Sequence, residues 1–298
     1  MTVIDIHEHA RTKAGFVHPK KGYTITTAED LVGIMDRHGI QRMVVLPITS
    51  PETFPWIQSN EEVFEAVDRF PGRFIKFCHV DPRIEYNWLE YDFAPLLEYF
   101  KGLGAVGLGE LTVNLWWDDP RVQNLLRGCE QVGFPVTCHI ATHEFNTYGL
   151  ITEPGMGGIE RALRRYPKLN LLGHSAGFWS EVAPNPSFDD RDGYPKGKVL
   201  PGGRVPELMR KYPNLWGDLS AGSGFNAVSR DPDWGYAFLS EFQDQLLMGL
   251  DLCTLDNEKG GCGLLDFLRA GRDGGKLSPA AYEKIMGLNA VRLLKLEA

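Results

Sequence analysis

Arg165-Tyr166-Pro167-Lys168-Leu169-Asn170-Leu171-Leu172-Gly173-His174 is the stretch on which the fold turns. An arginine suits a helix C-terminus, the proline two residues later stops the helix, and the apolar run that follows reads as a strand ending in histidine. Arg69-Phe70-Pro71 and Lys211-Tyr212-Pro213 repeat the junction ahead of further apolar runs. Helices that feed strands in this way imply parallel βαβ units. Working outward, runs at 3–6, 43–46, 74–80, 105–111, 135–140, 169–173, 215–219 and 245–250 make eight strands. Amphipathic stretches such as 60–69, 121–132, 158–165 and 204–211 separate them. The first helix is expected from a capping box, Thr26-x-x-Glu29, with Leu31, Ile34, Met35 and His38 on one face and Gly39 at the C-cap.

Eight such units predict an α/β fold, a single (β/α)8 (TIM) barrel over residues 1–298, with an open doubly wound sheet as the rival. Residues 178–203, with four prolines and no period, are expected as a long loop after strand six. Residues 251–263 read as a shorter loop and 279–296 as a closing helix.

The 31 Lys and Arg stand against 39 Asp and Glu, a formal charge of −8, which disfavours nucleic acid as a partner. No apolar run is long enough to span a bilayer, and the polar N-terminus has no signal-peptide core, so a cytoplasmic location is expected. The five cysteines are odd in number and contain no CxxC, consistent with reduced thiols. Oligomeric state is left open, a homo-oligomer included.

Two motifs are decoys. Gly102-x-Gly104-x-x-Gly107 leads into a strand, whereas a dinucleotide fingerprint leads out of one. Gly173-His174-Ser175-Ala176-Gly177 matches a nucleophile elbow, but that elbow needs a helix next, and 178 onward is broken by proline. It also needs a later histidine, and His174 is the last in the chain.

The chemistry lies at strand ends. His7-Glu8-His9 follows the first strand, and residues i and i+2 of extended chain project both imidazoles to one side, a pair suited to a zinc-type ion. Glu110 ends the fourth strand, His139 the fifth, His174 the sixth and Asp251 the eighth. In a barrel these positions all open onto the C-terminal mouth, where catalytic groups collect. Together they predict a metal centre.

This set, with Ile4-Asp5-Ile6-His7-Glu8-His9 and Leu172-Gly173-His174-Ser175-Ala176-Gly177-Phe178-Trp179, resembles the metal-dependent amidohydrolase superfamily, and within it the "amidohydrolase 2" group. The resemblance runs from Asp5 to Asp251. It implies that His7, His9, His139 and Asp251 hold a divalent ion, zinc first and manganese or iron otherwise. Asp251 would be the proton shuttle. His174 would ligate a second ion or hydrogen-bond water and substrate, and Glu110 would bridge two ions or lie behind one. Arg11, His79, Trp116, His143 and Trp179 are candidate substrate-binding residues near the mouth, and Asp5 a residue that orients the site.

The group mixes hydrolases with non-oxidative decarboxylases. The expected function is hydrolysis of a small amide or lactone by a metal-activated water. Decarboxylation of an aromatic or unsaturated acid is the alternative, and a binding protein without turnover is a third reading.

Overall fold

The computed structural model describes every residue except 1, 14, 18, 20–23, 54–56 and 298. Eight parallel strands follow one another around the molecule: β1 (Ile4–Glu8), β2 (Arg42–Val45), β3 (Phe74–Cys78), β4 (Ala105–Leu111), β5 (Val136–Ala141), β6 (Leu171–His174), β7 (Leu215–Asp218) and β8 (Leu246–Leu247). Each of these pairs with the next in chain order, and a short strand, Leu150–Ile151, adds to the end of β5. Beyond β8 the chain returns to β1: the Ile6 amide donates to the Met248 carbonyl at 3.0 Å and the Asp251 amide to His7 at 3.0 Å. The fold is therefore a nearly closed (β/α)8 barrel, not an open sheet.

The apolar residues divide into two sets, as a barrel requires. Ile4, Ile6, Val44, Leu46, Ile75, Phe77, Leu172, Trp216 and Leu247 pack together with Ala290, Leu293 and Leu294 from the C-terminal helical tail. The larger set lies between the sheet and the outer helices. The tail is helical over Pro279–Glu283, Lys284–Leu288 and Asn289–Leu294, and its Ile285 carbonyl accepts from the Met248 amide at 3.0 Å.

Helices end where the basic residue and proline direct, at Arg165 in Gly157–Arg165 and at Lys211 in Arg204–Lys211. The first helix, Ala28–His38, stops at Gly39 in the left-handed conformation, φ 71°. Its capping box is one residue later than expected: Thr27 accepts from the Asp30 amide and donates its own amide to the Asp30 carboxylate. Thr26 is occupied elsewhere. Its hydroxyl contacts the carbonyls of His9 (2.8 Å) and Leu252 (3.1 Å), tying together the chain segments beyond β1 and β8.

The segment after β6 opens with a short helix, Ala176–Trp179, which corrects the expectation that no helix follows Ser175. Phe178 packs so closely on Gly173 that a Cβ there would lie 2.3 Å from its ring. The nucleophile-elbow reading still fails, because the Ser175 hydroxyl donates to the Ile140 carbonyl at 2.7 Å and accepts from its amide at 3.1 Å. Among the described residues, no helix is long and apolar enough to cross a membrane.

Candidate metal centre

The strand ends deliver four histidines and three carboxylates to one end of the barrel. His139 and His174 are register partners on β5 and β6, so parallel pairing alone sets them side by side. His7 and His9 leave β1 two residues apart with Nε2 atoms 3.3 Å from each other. Both rings are oriented from behind. The His7 Nδ1–H donates to Asp218 Oδ2 at 2.6 Å and the His9 Nδ1–H to the Leu46 carbonyl at 2.8 Å. A carbonyl and a carboxylate accept but cannot donate, so in the neutral rings each Nε2 carries a lone pair. Two such nitrogens at this distance are held together by a proton on one of them or by a metal cation that replaces it.

Carboxylates complete the surroundings. Glu110 Oε2 is 3.7 Å from His7 Nε2 and 3.5 Å from His9 Nε2, and Asp251 Oδ1 is 3.9 and 3.5 Å from the same atoms. His174 Nε2 lies 3.5 Å from Glu110 Oε1 and 3.6 Å from Asp251 Oδ2. Two groups of ligand atoms, His7–Glu110–His174 and His7–His9–Asp251, each fall within 4.8 Å of one another and could hold an ion. They share the His7 imidazole, which makes them two halves of one centre. The donor set of imidazole nitrogens and carboxylate oxygens suits a divalent transition metal or zinc.

His139 stands beside both groups, its Nδ1–H donating to Glu110 Oε1 at 2.6 Å. Burial holds its pKa below the ordinary value, against the pull of Glu110, so the ring is neutral at physiological pH. Glu110 is ionised: burial opposes its charge, but His139, His7 and His9 outweigh burial and hold its pKa well below the usual range. Burial likewise opposes charge on His7, yet Asp218, Asp251 and Glu110 raise its pKa well above the ordinary value. A field that favours a proton there also favours a metal cation.

Asp251 follows β8 in the left-handed conformation, φ 54°, with its backbone N–H donating to the His7 carbonyl. Asp5 holds the same seam, its Oδ1 accepting the amides of His7 (3.0 Å) and Leu250 (3.1 Å), while Glu8 accepts the Leu252 amide at 3.0 Å. Asp5 thus ties β1 to the segment after β8.

Two residues that support the centre were missed in the sequence. Asp218 ends β7, fully buried, and lies 3.4 Å from His174 Nδ1 as well as 2.6 Å from His7. Ser220 meets His174 Nδ1 at 3.0 Å. The signal for Asp218 was present: it directly follows Leu215-Trp216-Gly217, as His174 follows its own apolar run.

A cavity of about 420 Å3 opens on His139, His174 and Asp251, with Tyr148, Asp192 and Tyr194 on its other walls. The expected substrate-binding residues lie outside this lining. Arg11 is paired with Glu62 at 3.0 Å. His79 is buried against Thr49. Trp116 is half exposed and donates to Glu144 at 2.7 Å. His143 packs on Phe188, 4.0 Å from Asp192. Trp179 is core: the short helix after β6 turns it inward against Phe178 and Phe238, and its indole N–H donates to the Asp218 carbonyl at 2.8 Å.

Solved structures share this fold at low identity. A probable 2-pyrone-4,6-dicarboxylic acid hydrolase from Acinetobacter baumannii, with citric acid bound, has a TM-score of 0.58 and 16% identity, covering 99% of this chain and 100% of its own. A 2,6-dihydroxybenzoate decarboxylase from Rhizobium has a TM-score of 0.57 and 15% identity, covering 100% and 99%. A 5-carboxyvanillate decarboxylase from Sphingomonas paucimobilis has a TM-score of 0.59 and 14% identity, covering 99% of both chains. A search of curated proteins found no match. The family model described as Amidohydrolase (Amidohydro_2) matches residues 4–296, nearly the whole length, and the chain belongs to that family.

Proposed function

We propose that the protein is a metal-dependent hydrolase that opens a small amide or lactone with water. The observation that carries this reading is the pair of Nε2 atoms of His7 and His9 set 3.3 Å apart, with Glu110 and Asp251 oxygens beside them. His7, His9 and Asp251 would hold one ion, zinc in the first instance and manganese or iron otherwise, with Glu110 the nearest further oxygen. When bound, a divalent ion polarises a scissile carbonyl and lowers the pKa of a water. The chain's own residues do the rest. Asp251 has one oxygen toward His7 and His9 and the other toward His174, so it is placed to take the proton of the attacking water and return it to the leaving nitrogen or oxygen. His174, held by Ser220 and Asp218, presents Nε2 to the same space.

Decarboxylation is the second reading, since the fold is shared with decarboxylases. Hydrolysis is preferred on charge. Apart from Asp251, which would face the metal, the described cavity lining carries Asp192 and no Arg or Lys, so it offers no cationic side chain to pair with the substrate carboxylate a decarboxylase must bind. The test is a panel of small lactones, cyclic amides and hydroxybenzoates offered to zinc-loaded protein. Acid release from a lactone or amide is expected. Carbon dioxide release from a hydroxybenzoate, without any lactone or amide opening, would replace this reading with the lyase.

A further inference from the structure

Tyr148 is the residue on which the spaces around the metal centre converge. It lines the cavity of about 420 Å3 beside His174 and Asp251. It also lines two neighbours, one of about 610 Å3 toward Cys253 and one of about 630 Å3 toward Arg83. A side chain on the wall of all three is in reach of whatever enters the mouth.

Its position is rigid. Tyr148 stands two residues ahead of the short strand Leu150–Ile151, which pairs with Ile140 and Ala141 of β5. Gly149, between them, has φ 108°, and a Cβ there would lie 2.6 Å from the His139 carbonyl oxygen. Its amide donates to the Thr112 carbonyl at 2.7 Å. Only glycine permits this close approach, which presses the loop onto the end of β5. The Tyr148 ring consequently rests on the His139 imidazole, centroids 4.3 Å apart and tilted by 43°.

The phenol, in contrast, is uncommitted. Its hydroxyl has no hydrogen-bond partner among the described residues, although every histidine around the centre has one. A phenol set on a rigid element and left unpaired beside a reactive centre is a donor awaiting an acceptor.

We propose that Tyr148 is a substrate-binding residue, donating its phenol hydrogen to the substrate oxygen that enters the cavity beside His174 and Asp251. It would thereby fix the carbonyl relative to Asp251 and favour substrates that present an oxygen acceptor on that side. The proposal rests on the metal-dependent reading above. Tyr194, across the same cavity and against Gly222, is the natural control.

Acetohydroxamate is the probe, because it chelates a divalent ion and brings a carbonyl oxygen with it. Its binding to zinc-loaded protein is followed by titration and by the tyrosine ultraviolet difference band that accompanies a new phenol hydrogen bond. In Tyr148→Phe, which keeps the ring on His139, zinc content and circular dichroism should match the parent. The Kd should rise about tenfold, the scale of one lost hydrogen bond, and the difference band should vanish. Tyr194→Phe should keep the band. Equal Kd and an unchanged band in Tyr148→Phe overturn the proposal, as does loss of the band in Tyr194→Phe alone. A parent protein that takes up no zinc refutes the metal-centre reading, whereas one that holds zinc but does not bind acetohydroxamate overturns this proposal alone.

Discussion

Asp218 and His7 lie 211 residues apart in the sequence and meet through Oδ2 and Nδ1 at 2.6 Å, both buried completely. The carboxylate takes the His7 Nδ1–H, which turns Nε2 toward His9, and it raises the basicity of that nitrogen. Burial opposes charge on Asp218, but His7 and His174 outweigh it and keep the carboxylate ionised far below its usual range. Asp218→Asn retains the shape and removes the charge. Zinc affinity, measured by competition with a chromophoric chelator, should fall about 10- to 100-fold while the fold persists. Unchanged affinity would mean that His7 needs no such partner.

Asp251 is the carboxylate with oxygens toward both His7/His9 and His174, and its left-handed backbone is held by the His7 carbonyl. A carboxamide in its place cannot accept the water's proton. Turnover in Asp251→Asn should therefore drop by at least about 100-fold, within the range for a lost acid–base group. Circular dichroism and the urea midpoint should stay near those of the parent. Full activity in a folded Asp251→Asn protein would remove the proton-shuttle role.

The strand ends were legible because a barrel converts a one-dimensional rule into a three-dimensional one: a polar residue directly after an apolar run faces the mouth. That rule brings His7, Glu110, His139 and His174 to the mouth, and it covers Asp218 equally, since Asp218 directly follows Leu215-Trp216-Gly217. Residues on loops were not legible. Trp179 lies only five residues past His174, yet one turn of helix carries it into the core. Tyr148 is brought to the mouth by a two-residue strand too short to give a period in sequence. The capping register slipped by one because Thr26 and Thr27 are interchangeable as letters. Contacts to His9 and Leu252, both outside the helix, decide between them.

His79 offers a pH test of the buried network. Its Nδ1 faces the Thr49 hydroxyl at 2.5 Å and amide at 3.4 Å, and burial, outweighing Asp81 and Glu110, lowers its pKa from 6.5 to about 4. The unfolded imidazole binds its proton first. The contribution of His79 is thus fully present above about 6.5 and is lost as pH falls toward about 4, an effect on the order of 3 kcal/mol. Urea denaturation of chelator-treated parent and His79→Gln across that window should show a steeper loss in the parent. Parallel curves would show that His79 is not buried as a neutral ring.

Metal stoichiometry follows from the way the two ligand groups overlap. His7–Glu110–His174 and His7–His9–Asp251 have the His7 imidazole in common, and its Nε2 is the one nitrogen left free once Nδ1 is bound to Asp218. One nitrogen serves one ion, so filling either group withdraws His7 from the other. Glu110 Oε1 is already engaged, accepting from His139 at 2.6 Å, which leaves Oε2 toward His7 and His9. Protein purified without chelator should accordingly carry about one equivalent of zinc, manganese or iron by elemental analysis. Apo-protein titrated with zinc should reach full activity at that same equivalent. Glu110→Gln, which keeps one carbonyl oxygen but loses the charge, should weaken the zinc affinity without changing the stoichiometry. Activity that requires two equivalents in the parent and one in Glu110→Gln would show instead that Glu110 bridges a metal pair, with His139 or His174 supplying the second ion.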